Sequence, residues 1–235
     1  MNTKLKLSVT PTRSQLILGW VMAIVYNWGL PYAVAWLGAQ NPGKLNLFWL
    51  NVICWGVGFW LLFLVLHRYL IASFKRVKLD FWETVQAVIL GFVLYWVLSN
   101  VAGWLYTTLA PTFTNINNEA VSGMTQRKPA IMAVMTILIV PISEECIYRG
   151  LIFAPLSGVN YYLAIAVSAL LFAFSHVVGF IGVYDPLTMV LCVIQYLPAS
   201  IALAWTHGKA DTIWASVALH SVINAIATGF TLFAG

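Results

Sequence analysis

The chain has 235 residues, 61% of them hydrophobic and 8% charged, with a mean hydropathy of +0.87. A soluble domain carries about 25% charged residues, so composition excludes an ordinary soluble protein and predicts an all-α polytopic membrane bundle. The net charge of +5 bears on topology first, because no basic cluster interleaved with aromatics marks a nucleic-acid surface.

Residues 1–15 read as a polar, basic tail with Lys4, Lys6 and Arg13. A first apolar run covers about 16–37 and is interrupted by Asn27 and Pro31; it is too long for the apolar region of a signal peptide. Asn41-Pro-Gly-Lys44 is a turn, and a second span covers about 47–66. A basic stretch with Arg68, Lys75, Arg76 and Lys78 leads to a third span at about 81–106. Residues 107–129 form the longest polar connection, rich in Thr and Asn. Four more spans follow at about 130–153, 161–182, 187–205 and 212–233, giving seven in all. The segment 1–129 carries no recognised motif, whereas 130–235 carries every candidate for chemistry. His67 and His207 sit at span ends and read as interfacial anchors. Eleven Trp and ten Tyr fit interfacial belts. Cys54, Cys146 and Cys192 lie in apolar runs, with no Cys-x-x-Cys pair, and read as inert thiols.

Positive residues orient the spans. With the N-terminus inside, Lys4, Lys6, Arg13, Arg68, Lys75, Arg76, Lys78 and Lys209 are inside, against Lys44, Arg127 and Lys128 outside. The expected location is the cell membrane, with the N-terminus cytoplasmic and the C-terminus outside.

The fourth span contains Pro141-Ile-Ser-Glu-Glu-Cys-Ile-Tyr-Arg-Gly150, with three formal charges in apolar surroundings. One charge at a span centre costs about 2.5–3.5 kcal/mol on insertion scales, so such residues face a protein interior, pair, or react. Glu145 and Arg149 are four apart with the acid first, the favourable order for an ion pair on one helix face. Glu144 is turned about 100° from Glu145 and has no local partner, which makes it the candidate reactive group. Pro141 is expected to bend or open the helix beside it.

Two other spans carry polar groups at comparable depth. At ~1.5 Å per residue, Glu144 lies roughly 16 Å from Pro155 and His176 about 22 Å from Tyr161. His220 and Asn224, four apart on one face, lie about 12 and 18 Å from Thr212. A carboxylate, two imidazoles and an amide in one buried layer are the parts of a hydrolytic centre. Each also has a plainer use: a lone His or a His/Asn pair as interhelical hydrogen-bonding groups, a Glu pair as a proton relay.

Glu-Glu-x-x-Tyr-Arg-Gly at 144–150, Phe-x-x-x-His at 172–176 and His-x-x-x-Asn at 220–224 resemble the three signatures of the CAAX-processing and bacteriocin-processing (CPBP/Abi) membrane proteases. This family includes the type II CAAX prenyl endopeptidases. The resemblance covers about 130–228 and implies an endopeptidase with its site inside the membrane. It assigns Glu144 as the general base that activates water, His176 as its assistant, and His220 with Asn224 as the oxyanion site. Glu145, Arg149 and Phe172 would support them. The family is also described as metal-dependent; a metal, zinc by ligand type, would be held by Glu144, His176 and His220. No cofactor is favoured, because Glu144 cannot easily be both ligand and base. The expected partners are the lipid bilayer and a hydrophobic or membrane-associated peptide, reached from the cytoplasmic half with 107–129 covering the far side. The alternative is a non-catalytic immunity or scaffold protein of the same fold. A transporter would need related halves, which the sequence lacks.

Overall fold

Within a bilayer each apolar run must satisfy its own backbone polar groups, and a helix does so. The structure, a computed structural model, describes residues 4–233. Its helices are α1 (Arg13–Gln40), α2 (Leu47–Leu79), α3 (Phe81–Leu109), α4 (Ile116–Arg127), α5 (Pro129–Ser157), α6 (Tyr161–Ser175), α7 (Pro186–Ala210) and α8 (Ile213–Phe233). Six of these, all but α4 and α6, are long and apolar enough to cross a membrane, and no strand occurs among the described residues. The protein is thus an all-α, multi-pass membrane bundle.

Two elements differ from expectation. The fifth span, expected over 161–182, is the 15-residue helix α6, which ends at Ser175. At ~1.5 Å per residue it is about 22 Å long, short of a hydrocarbon core of ~30 Å. It stops because the His176 side chain turns back: Nδ1 lies 2.8 Å from the Phe172 carbonyl, which a further helical turn would have bonded. The connection 107–129, expected as a loop, contains α4. Asn115 caps that helix by accepting the N–H groups of Asn117 and Asn118 at 3.0 and 3.1 Å.

Helix α5 continues through Pro141 without a break. Its backbone widens to π geometry over Met135–Ile139, just before the proline, and again over Cys146–Phe153. The first π turn absorbs the missing proline donor, with the Val140 N–H reaching back to the Met135 carbonyl. The core gathers around α5: Leu62, Leu66, Tyr69 and Leu70 of α2 pack with Cys146, Ile147 and Leu151 of α5, Phe172 of α6 and Ile213 and Val217 of α8. Helix α3 runs close to α7, where a β-carbon at Gly91 would collide with Thr206 Oγ1. Trp36, Trp60, Trp82, Trp96 and Trp104 face outward, where lipid covers them.

The basic tail is an extended strap across one end of the bundle. Leu7 and Pro11 are buried while Lys4, Lys6, Ser8 and Thr10 are exposed, the alternation of an extended chain lying on a surface. Leu5 N–H bonds the Ser157 carbonyl at 2.9 Å, and Ser8 N–H bonds Asp211 Oδ1 at 2.7 Å. Asp211, in left-handed conformation at φ 52, also pairs with Arg76 of α2 at 3.3 Å. His207, expected as an interfacial anchor, is instead buried beneath this strap end, its ring 5.3 Å from that of Phe153.

Candidate functional site

Helix α5 presents its charged residues on successive turns. Arg149 Nη1 donates to Glu145 Oε1 at 3.1 Å with both side chains fully buried, the i, i+4 pair that the spacing predicts. The pair has company that sequence reasoning missed. Arg149 Nη2 donates to the carbonyl and hydroxyl of Ser200 on α7, at 2.9 and 2.8 Å. The guanidinium carbon lies 4.9 Å from the Phe172 ring centre, a cation–π contact. Glu145 Oε1 also lies 2.9 Å from His220 Nδ1. Ser200 is a residue of common type in an apolar helix, and 51 residues separate it from Arg149; no local pattern could have marked it.

Glu144 faces the two imidazoles. His176 Nε2 is 3.7 Å from its Oε1, and His220 Nε2 is 3.7 Å from its Oε2. Glu144, His176 and His220, on three different helices, therefore meet as the common depth predicts. Backbone and carboxylate oxygens can only accept, so both rings carry a proton on Nδ1: that of His176 goes to the Phe172 carbonyl, that of His220 to Glu145. In the neutral rings both Nε2 lone pairs then point at Glu144. Phe172 braces both imidazoles, with ring centres 4.6 Å from His176 and 5.7 Å from His220.

Asn224 stands one turn beyond His220 on α8. Its Nδ2 donates to the Thr136 carbonyl at 2.7 Å, which anchors α8 to the first π turn of α5. One amide hydrogen is spent there and the second remains. Helix α1, without a motif of its own, also contributes: Tyr148 Oη donates to Asn27 Oδ1 at 3.4 Å.

Every residue from Glu145 to Ala154 is buried, whereas the turns before Glu144 are mixed: Met132, Met135, Pro141 and Ser143 are buried, Thr136, Ile137, Ile139, Val140 and Ile142 half-buried, and Leu138 exposed. Glu144 itself keeps 15% of its side-chain surface. Polar contacts lead from the site towards α4: Thr228 meets Thr136 at 3.3 Å and Thr231 meets Ser122 at 3.3 Å.

Among the described residues no group of three or more His, Cys, Asp or Glu side chains is arranged to hold a metal ion. The two Nε2 atoms face different oxygens of Glu144, each at 3.7 Å.

Residues 126–226 match the family model described as type II CAAX prenyl endopeptidase Rce1-like. No curated protein and no solved structure matches the chain.

Proposed function

We propose that the chain, whose residues 126–226 match the type II CAAX prenyl endopeptidase Rce1-like family model, is a membrane protease that hydrolyses a peptide bond of a hydrophobic or membrane-associated peptide, with Glu144 as general base. The observation that carries this is the pairing of Glu144 Oε1 with His176 Nε2 across 3.7 Å. Two acceptors at that separation leave room for one water about 2.8 Å from each, donating a proton to both. A carboxylate in an apolar layer is a stronger base than one in water. Glu144 takes one proton as the water oxygen attacks the scissile carbonyl carbon. The tetrahedral intermediate collapses as the C–N bond breaks, and Glu144 returns the proton to the leaving amine.

His220 and Asn224 serve the oxyanion. The second amide N–H of Asn224 is a ready donor. His220 can donate from Nε2 only when both ring nitrogens carry protons, because its Nδ1–H is committed to Glu145. The buried Glu145 carboxylate orients the ring through Nδ1, and Arg149 holds the carboxylate in place. No step above is routed through a metal; a Glu144 that coordinated zinc would be a weaker base.

The excess of positive residues at the strap end favours that end as the cytoplasmic one, with the protein in the cell membrane and the C-terminus outside. The peptide would then reach Glu144 from the α4 side. Purified protein in liposomes, given hydrophobic peptides in H2(18)O, tests the reaction: the new carboxyl-terminal product should gain one heavy oxygen. Absence of cleavage by folded protein across such peptides would favour a non-catalytic immunity or scaffold role.

A further inference from the structure

Tyr196 of α7 lies outside all three signatures, yet its ring stacks on that of His176 with centres 4.3 Å apart and planes 30° from parallel. Its hydroxyl is held from α4. Asn117 Nδ2 donates to it at 2.9 Å, and it donates to Asn118 Oδ1 at 2.8 Å. The Asn115 Oδ1 atom lies 3.4 Å away, and Asn115 Nδ2 fixes the neighbouring Gln195 Oε1 at 2.7 Å. Three asparagines at the start of one short helix thus converge on one turn of α7.

The imidazole needs such a brace. The hydrogen bond from Nδ1 to the Phe172 carbonyl fixes one edge of the ring. The Phe172 ring meets the imidazole at a tilt of 42°, 4.6 Å between centres, and a residual rotation about the Cβ–Cγ bond would still swing Nε2 relative to Glu144. A ring laid on the imidazole face sets the plane, provided that ring is itself fixed. A phenylalanine would stack without being held; a tyrosine can be clamped at its far end.

We propose that Tyr196, clamped through its hydroxyl by Asn117 and Asn118, is a positioning residue that sets the plane of the His176 ring and aims Nε2 at the water that Glu144 activates. The proposal rests on the hydrolytic role given to His176 above, but the stacking can be read without turnover. It also gives α4 a use, since the helix supplies the clamp.

The test uses the full chain in lipid nanodiscs with isotope-labelled histidine. The chain has four histidines, and loss of one signal set in His176→Gln assigns the ring. In the wild-type protein the carbon-bound His176 ring protons should lie upfield, shifted by the Tyr196 ring current. Tyr196→Leu should leave the share of that shift due to Phe172, 4.6 Å away, and remove the share of Tyr196. Tyr196→Phe and Asn117→Ala should reduce it, because the ring remains but its clamp is weakened. Where peptide cleavage is measured, kcat should fall roughly tenfold for Tyr196→Phe and a hundredfold for Tyr196→Leu with KM unchanged, the scale of a small misplacement at a reacting centre. Unmoved His176 signals in Tyr196→Leu overturn the proposal, as does a kcat loss that only follows a lowered melting temperature. Should the wild-type protein cleave nothing, the hydrolytic role falls, while the His176 signals still decide whether Tyr196 sets the ring. Asn117 is half-buried at the surface, so Asn117→Ala keeps the test valid if changes at Tyr196 disturb folding.

Discussion

Glu145→Gln separates the two tasks of the buried acid. The wild-type carboxylate is fully buried, and its Oε1 serves both Arg149 at 3.1 Å and His220 at 2.9 Å. The amide keeps an oxygen but loses the charge, so the guanidinium of Arg149, with 0% of its side chain exposed, is left without a counter-ion. Stranding one partner of a buried pair costs about 3–5 kcal/mol. For a chain of this size, at roughly 2–4 °C per kcal/mol, melting should fall by roughly 6–20 °C. Activity should fall by at least about a hundredfold, some 2.7 kcal/mol in the barrier, because His220 loses the carboxylate that orients its ring. The double variant Glu145→Gln with Arg149→Met distinguishes the two effects. Removing both charges leaves nothing stranded, so melting should recover most of the loss. Turnover should not recover, since His220 still lacks its anion. The assays are thermal unfolding in detergent and peptide cleavage on the same preparations. A double variant that regains turnover, or a single variant that melts and cleaves like the wild type, would show the reasoning to be wrong.

Two further outcomes follow from the same geometry. EDTA or phenanthroline should leave turnover intact and active protein should lack stoichiometric zinc; activity lost to chelation and restored by zinc would recast Glu144, His176 and His220 as ligands. In a background without Cys54, Cys146 and Cys192, Ser221→Cys should react with impermeant thiol reagents applied from the membrane side that labels Asn118→Cys, and not from the side that labels Ser8→Cys. Labelling of Ser221→Cys from the Ser8 side would mean that the strap end is open.

The parts legible in the sequence share one property: each is a pattern within a single helix or a depth common to several. The i, i+4 order fixes Glu145 against Arg149, and equal depth brings Glu144 to His176 and His220. Contacts made across helices by ordinary residues left no trace. Ser200 accepts from Arg149 across a sequence separation of 51, and His220 reaches Glu145 across one of 75. Tyr196 looked like one more interfacial aromatic, because its partners are asparagines 78–81 positions away. The early end of α6 was hidden for a different reason. Val177, Val178, Phe180 and Ile181 keep the stretch apolar, and hydropathy cannot register a side chain that caps its own helix. Helix α4 was the reverse case: Asn115 is a recognisable cap, but the polar composition of 112–128 spoke for a loop. His207 stands in a short polar turn by sequence and is buried only because the N-terminal strap, Leu7 included, lies over that end.

The most direct measurement compares turnover of wild-type protein with that of Glu144→Gln, both purified, inserted in liposomes and given the same membrane peptide. The substitution keeps the size of the side chain and removes only its capacity to take a proton. Melting should be nearly unchanged, because Glu144 makes no contact with either imidazole closer than 3.7 Å, and cleavage should fall to the uncatalysed level. Full turnover by the folded Glu144→Gln protein would contradict a general base at this position.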